Sequence, residues 1–380
     1  MGGQIRGLGW ARAKEMARES VDDLMAEQGR VDGLDGLRAF AVAGVLMCHT
    51  MVLPSGFIGV DLFFVLSGYL ITTILMREHE KVGRLLLGRF YMRRMLRLLP
   101  ALLVVLAVFT VYDQVIRTQS LQSQSIKVLP AVLFYVGNWV QVAGGVDALD
   151  LWGHTWTLAV EEQFYLFWPL ALAASMKLGP RAAGWIAAVL VVLTPVWRIA
   201  LVLSGASEGR MRGTDVVADM LMLGCLLAII MLSQRDLIAR VARWLAIPAA
   251  IFLSVIVVLP VPSQLVLAIL PTGLAVASAA LIARTVTAPR SVMARALAWR
   301  PLVVIGRLSY AIYLWHLPVT IALTGHIPNR WLLTLAVTVV SVPAALGSWI
   351  VVEHPVLRLK KRFEGPRPEL QAVATPATAS

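Results

Sequence analysis

Charge is scarce in this chain. Asp, Glu, Lys and Arg make up 15% of its 380 residues, against roughly a quarter in a soluble domain, which excludes a fold coated by its own ionised side chains. Cysteine is nearly absent: Cys48 and Cys225 are the two present, both inside apolar runs, so no disulfide framework is indicated. Residues 1–33 are charged and contain no apolar h-region, so they do not read as a cleavable signal. No group of residues has zinc-ligand spacing, and neither a Gly-x-Ser-x-Gly elbow nor a phosphate-binding loop occurs. Internal repeats are missing, and biased composition is confined to the Pro/Ala/Thr-rich tail after Gly365, which is expected to be disordered.

Apolar residues fill the space that charge leaves, at 58% of the chain. A helix crossing a hydrocarbon layer about 30 Å thick needs about 20 mainly apolar residues, and runs of that length recur. Spans are drawn at 37–55, 57–76, 96–113, 155–176, 183–204, 214–233, 244–261, 264–284, 302–323 and 331–352. The net charge of +12 raises nucleic acid as a partner, but Lys and Arg lie in short clusters between apolar runs rather than along one soluble face. Nucleic acid is therefore not expected, and the lipid bilayer is.

Basic loops mark the cytoplasmic side of a membrane protein. Segments 77–97, 234–243, 284–300 and 358–367 are rich in Arg and Lys, and alternate with poor loops near 53–57, 260–264 and 323–330. Residues 128–142, VLPAVLFYVGNWVQV, would break the alternation if they crossed. They are short and interrupted by Pro130, Gly137 and Asn138, so a re-entrant or interfacial segment is expected. The sequence thus predicts an all-α polytopic membrane protein with about ten transmembrane helices and both termini cytoplasmic. Its parts are an N-terminal arm over 1–33, with an interfacial helix near Trp10 to Met25, a membrane domain over 34–363, and a cytoplasmic tail over 364–380.

Ionisable groups inside a bilayer cost at least about 2.5–3.5 kcal/mol each on insertion scales and ask for a reason. On the ten-span scheme Arg38, Arg94, Arg97, Arg307 and Glu353 fall at inner ends, whereas His49, Asp61, His154, Glu161, Glu162, Asp215, Asp219 and His316 fall toward outer ends. A polar path with two ends follows. Arg38 and His49 are eleven residues apart in LDGLRAFAVAGVLMCHT, three helical turns and about 16 Å of rise, on one face. That spacing suits a long donor held by an anionic end at Arg38 with its reactive end near His49. A membrane-orienting arginine and a packing histidine are the simpler alternatives. In FYMRRMLRLLP, Arg94 and Arg97 share a helix face, and paired guanidiniums suit phosphate; orientation alone would also explain them. In HTWTLAVEEQFYLFWP one of Glu161 and Glu162 can orient an imidazole, while the other stays at the interface. Asp61 sits among Gly59, Ser67 and Gly68, where an interhelical hydrogen bond is the plain alternative. His316, beside Tyr310, Tyr313 and Trp315, reads as a site residue or part of an interfacial aromatic belt. His79 and His326 lie in expected loops and carry no assigned role.

At these residues the sequence resembles the acyltransferase 3 family of integral membrane O-acyltransferases. The pieces LDGLRAFAVAGVLMCHT, GVDLFFVLSGYLIT, FYMRRMLRLLP, HTWTLAVEEQFYLFWP, DMLMLGCLLA and LSYAIYLWHLPV follow the family's order between Asp32 and Phe363. The resemblance implies a ten-span fold, an acyl-CoA donor, His49 as the histidine of the family's Arg-x10-His pattern, and Arg94 and Arg97 as its Arg-x-x-Arg pair. Members often carry an Arg two positions before the aspartate matching Asp219, where this chain has Val217. Some also append a hydrolase-like domain that this sequence does not contain.

The resulting expectation is an acyltransferase of the cell membrane, the inner membrane of a bacterium. Arg38, Arg94 and Arg97 hold the phosphates of acyl-CoA, and His49 acts as general base with Glu161 and Glu162 in the catalytic set. Asp61, His154, His316 and Asp219 line the acceptor side. The acceptor is a hydroxyl of a cell-envelope glycan or glycolipid, with a macrolide-type metabolite as the enzyme alternative and a secondary transporter or an inactive scaffold as alternatives of another class. No metal and no permanently bound cofactor are expected.

Overall fold

The structure, a computed structural model, describes Leu24 and residues 31–116, 119–179, 181–259 and 264–363. Apart from Leu24 and residues 31–33, the N-terminal arm lies outside the described residues. So do the tail over 364–380 and all but one residue of the interfacial helix expected near Trp10 to Met25.

Every regular element among the described residues is helical. In order they are α1 (Asp32–His49), α2 (Ile58–Val82), α3 (Leu87–Ile116), α4 (Gln119–Leu133), α5 (Gly137–Gly144), a 3₁₀ stretch (Val146–Thr155) and α6 (Trp156–Leu178). Then come α7 (Ala182–Leu203), a short 3₁₀ turn (Gly209–Arg212), α8 (Thr214–Ser233), α9 (Arg235–Val258), α10 (Gln264–Thr287), α11 (Val292–Leu297) and α12 (Arg300–Arg307). The last are α13 (Ser309–Thr324), α14 (Arg330–Ser348), a π-helical turn (Trp349–Glu353) and α15 (His354–Phe363).

Helices stand at all the positions drawn from the sequence. Seven are long and apolar enough to cross a membrane, or eight if the bent pair of α12 and α13 counts as one span. The two that fall short, α1 and α6, carry Asp32, Asp35 and Arg38 in one case and Glu161 and Glu162 in the other. In each of these two helices the charges interrupt the apolar run. The outer faces of α7 and α9 expose Trp185, Val189, Val192 and Val196, and Trp244, Ile247, Ile251 and Val255, at spacings that align them in stripes. Apolar faces of this kind need cover other than water, and the chain is a multi-pass membrane protein.

Two boundaries differ from expectation for local reasons, and the 128–142 segment is interrupted just before Gly137, one of the three residues expected to break it. The first span does not run to residue 55: α1 ends at His49, where Val52 N–H donates to Met47 O at 2.9 Å and Met51 N–H to Cys48 O at 3.0 Å. This is the Schellman pattern, with Met51 rather than glycine in the left-handed position at φ 61°. The segment over 128–142 forms no single unit, because α4 ends in the same pattern at Tyr135, φ 54°, before α5 starts. The span drawn over 302–323 is broken by a 69° bend between α12 and α13.

Two buried clusters make the core. One joins α2, α6, α7, α8, α9 and α10; the other joins α3, α13, α14 and the long 3₁₀ stretch, and α1 contributes to both. The backbones of α2 and α8 nearly touch, since a Cβ on Gly68 would lie 1.9 Å from Leu221 O and one on Gly224 would lie 2.1 Å from Val65 O. The seam between the clusters holds the site.

Candidate active site

Five helices line a cavity at that seam. Arg38 comes from α1, Phe63, Ser67 and Ile71 from α2, Arg94, Arg97 and Leu98 from α3, Thr157, Glu161 and Tyr165 from α6, and Ser309, Tyr310 and Tyr313 from α13. About 710 Å³ of empty space lies between them, part of it continuous with the exterior. The lining holds three arginines, Arg38, Arg94 and Arg97, and one carboxylate, Glu161, while Asp35, Glu162 and Glu353 stand within electrostatic reach of the three arginines from outside it.

Each guanidinium is placed by its neighbours. Arg38 Nη1 lies 3.4 Å from Asp35 Oδ1, and the other oxygen of Asp35 accepts from Arg307 Nε at 2.9 Å. Arg307 also pairs with Asp32 at 2.7 Å, so α12 braces the start of α1. The guanidinium of Arg94 stacks 3.5 Å from the centre of the Tyr165 ring, while its Nε is buried without a hydrogen-bond partner. A buried donor left unmade is costly and is satisfied when an acceptor oxygen arrives. Arg93 turns away to Glu78 at 3.6 Å, as a residue outside the i, i+3 pair must. Arg93, Arg94 and Arg97 all lie within α3 rather than before it.

Glu161 faces the cations. Ser67 Oγ donates to Glu161 Oε1 at 2.5 Å, and Tyr165 Oη donates to Ser67 Oγ at 2.8 Å. Glu162 lies within electrostatic reach of Arg94 and Glu161. No carboxylate among the described residues bonds His49, so the imidazole partner sought in Glu161 or Glu162 lies elsewhere.

That partner is another histidine. His316 Nδ1 lies 2.5 Å from Tyr313 O and its Nε2 lies 3.2 Å from His49 Nδ1, which is also 3.0 Å from Val45 O. A carbonyl oxygen only accepts, so His316 carries its proton on Nδ1 and offers a lone pair at Nε2. His49 Nδ1, facing that lone pair and a second carbonyl, must carry a proton. Its Nε2 is then the unprotonated nitrogen. Thr157 Oγ1 and Tyr313 Oη are 2.7 Å apart, and Tyr313 Oη donates to His154 O at 2.9 Å. The rings of His154 and His316 have centroids 5.3 Å apart, and neither nitrogen of His154 has a hydrogen-bond partner although the residue is buried. Tyr313 and Thr157 also line the cavity, whereas the three imidazoles do not; they lie behind Tyr313, whose ring centroid is 5.2 Å from that of His316. His316 is fully buried, which removes it from any surface belt of aromatics.

The remaining expected residues are placed differently. Asp219 receives two hydrogen bonds from Arg198, both at 3.0 Å, and one from Thr272 at 2.7 Å. Arg198 also donates to Ala268 O and Val216 O at 2.7 Å. Both charges are buried and matched to each other, so these contacts do not support the acceptor role expected of Asp219. Arg198 lies on the neighbouring α7, so the cation paired with Asp219 comes from another helix. Asp61 is buried with Oδ2 unpartnered and lies within electrostatic reach of this pair. Asp215 is chelated by Arg210 and accepts from Trp197 at 2.8 Å. His79 falls in the last turns of α2 rather than in a loop. Among the described residues no group of His, Cys, Asp or Glu is arranged to hold a metal ion.

The family model described as an acyltransferase domain matches residues 31–353. The chain is 34% identical over 354 residues to the peptidoglycan O-acetyltransferase OatA of Listeria monocytogenes, covering 86% of this chain and 56% of that protein. It is 32% identical to the O-acetyltransferase OatA of Staphylococcus aureus over 77% of this chain and 51% of that one. It is 34% identical to the putative peptidoglycan O-acetyltransferase YrhL of Bacillus subtilis over 86% and 55%. The chain thus spans about half the length of the curated relatives it matches. No solved structure matches it.

Proposed function

The chain belongs to the acyltransferase 3 family and is an acyltransferase, and from that premise we propose that it moves an acyl group, acetyl in the first instance, from acyl-CoA to a hydroxyl of a cell-envelope glycan in a bacterial inner membrane. The observation that carries this reading is the cavity at the seam, lined by Arg38, Arg94, Arg97 and Tyr313, with the Tyr313 ring beside that of His316 and His316 within hydrogen-bond distance of His49. The arginines suit the phosphates of a CoA donor, since guanidiniums bind phosphate oxygens bidentately. The unpartnered Nε of Arg94 supports the same assignment. Eleven residues of α1 separate Arg38 from His49, about 16 Å, a span in keeping with an extended pantetheine arm. The relatives named as peptidoglycan O-acetyltransferases support a glycan acceptor and an acetyl group.

In this reading His49 Nε2 takes the proton of the acceptor hydroxyl as its oxygen attacks the thioester carbon. The new C–O bond forms, the C–S bond breaks, and the proton passes to the leaving thiolate, so that acyl-CoA and alcohol become ester and free CoA. General-base assistance of this kind contributes about 10²- to 10⁴-fold. Ten crossings with both termini on the cytoplasmic side complete the proposal, because the Arg-rich loops then face the CoA pool. The test is mass spectrometry of envelope glycans from parent and deletion strains. Loss of an ester-linked acyl group on deletion, restored by the parent gene and not by an Arg94→Ala/Arg97→Ala gene, is expected. An ester profile unchanged by deletion would overturn the envelope acceptor.

A further inference from the structure

General bases of the histidine type are commonly oriented by a carboxylate on the second ring nitrogen, and here no carboxylate among the described residues is bonded to His49. What lies there are the Val45 carbonyl of its own helix, 3.0 Å from His49 Nδ1, and His316, 267 positions further along the chain, with its Nε2 at 3.2 Å. We infer that His316 is the positioning partner of His49, accepting the Nδ1 proton of His49 at its own Nε2 and so holding the His49 Nε2 lone pair toward the acceptor hydroxyl. The inference rests on the reading of His49 as the base.

Three features support it. First, the tautomer of His316 is fixed by the Tyr313 carbonyl at 2.5 Å, so its Nε2 can only accept. Second, the 69° bend between α12 and α13 and the hydrogen bonds of Tyr313 to Thr157 and to the His154 carbonyl hold the backbone that presents His316. Third, His49 ends its helix in a fixed Schellman turn, so both imidazoles stand on rigid supports. When His49 takes the acceptor proton, its Nδ1–H···Nε2 bond to His316 becomes charge-assisted and stronger, a gain realised in the transition state. A neutral partner achieves this without leaving a second charge in an apolar core, which a carboxylate would do.

Two substitutions separate this role from packing. In His316→Gln the amide oxygen can take the place of Nε2 and keep the bond to His49, whereas in His316→Asn the shorter amide can reach only the Tyr313 carbonyl. With purified enzyme, acyl-CoA binding should be unchanged in both. The inference predicts kcat within about tenfold of the parent for Gln and a fall on the order of 10² for Asn, in the range of losses seen when an orienting partner of a histidine is removed. Parental kcat in both variants, or a larger loss in Gln than in Asn, would overturn it. Should the Asn variant not fold, Gln decides alone: an acyl-CoA-binding Gln variant as inactive as His49→Ala contradicts the inference. A His49→Ala control measured alongside distinguishes the failures, because transfer at the parental rate in that control removes the base itself and the pair with it.

Discussion

Arg94 is the residue at which donor binding is most directly exposed to test. Its charge stacks on Tyr165 and its Nε is buried without a partner, so truncation removes a donor prepared for an oxygen. Arg94→Ala and Arg97→Ala should each raise the KM for acyl-CoA by about tenfold or more, the loss of a charge-assisted hydrogen bond worth about 1.5–3 kcal/mol. Lys should restore only part, since it lacks the planar fork. Unchanged donor kinetics in both Ala variants would limit these residues to membrane orientation. Asp219 makes the opposite prediction. Breaking its buried pair with Arg198 should cost about 3–5 kcal/mol of stability, read as lost folded protein in detergent; a well-folded Asp219→Ala variant with a raised acceptor KM would contradict the structural role. At this scale spacing was informative where partners share a helix, as with Arg94 and Arg97. It was silent on Arg198 with Asp219 and on His49 with His316, because those pairs depend on which helices become neighbours.

Helices set the tolerances of the site. Gly68 adjoins Ser67, which bonds Glu161 in the cavity, and a Cβ there would meet Leu221 O at 1.9 Å. Gly68→Ala must push α2 from α8, so it should destabilise by about 1–3 kcal/mol, seen as a lower Tm in detergent together with reduced transfer. An unaltered Tm would mean that the two helices are less tightly apposed. Met51 tests the end of α1. It is 70% exposed and held at φ 61°, a conformation costing about 1–2 kcal/mol for a residue with a Cβ. Met51→Gly should therefore raise Tm, and a lower Tm would show that the methionine side chain contributes more than its exposure indicates. The positions of the helices were legible from apolar runs. Two of their ends were not, because the turn at Met51 and the bend at Leu308 arise from backbone hydrogen bonding and packing that carry no glycine or proline signature at those residues.

At the scale of the whole molecule, the proposed membrane orientation decides which side the arginines of the cavity face. Cysteine introduced at exposed Asn329 should be labelled from outside intact cells, and one at exposed Arg235 should not; labelling at Arg235 would reverse the orientation and move the arginines away from the CoA pool. Ser55, in another loop that the proposed orientation places outside, is unsuitable because it is buried and donates to Leu259 O at 2.6 Å. The fold class and the six family motifs were readable from sequence, whereas the number of crossings is obscured where charges interrupt the apolar runs of α1 and α6. The most direct test of the central claim is the transfer rate of His49→Ala, normalised to folded protein and measured beside its affinity for acyl-CoA. The account predicts donor binding close to that of the parent with transfer reduced about 10²- to 10⁴-fold. A monodisperse variant that binds acyl-CoA and still acylates its acceptor near the parental rate would contradict it.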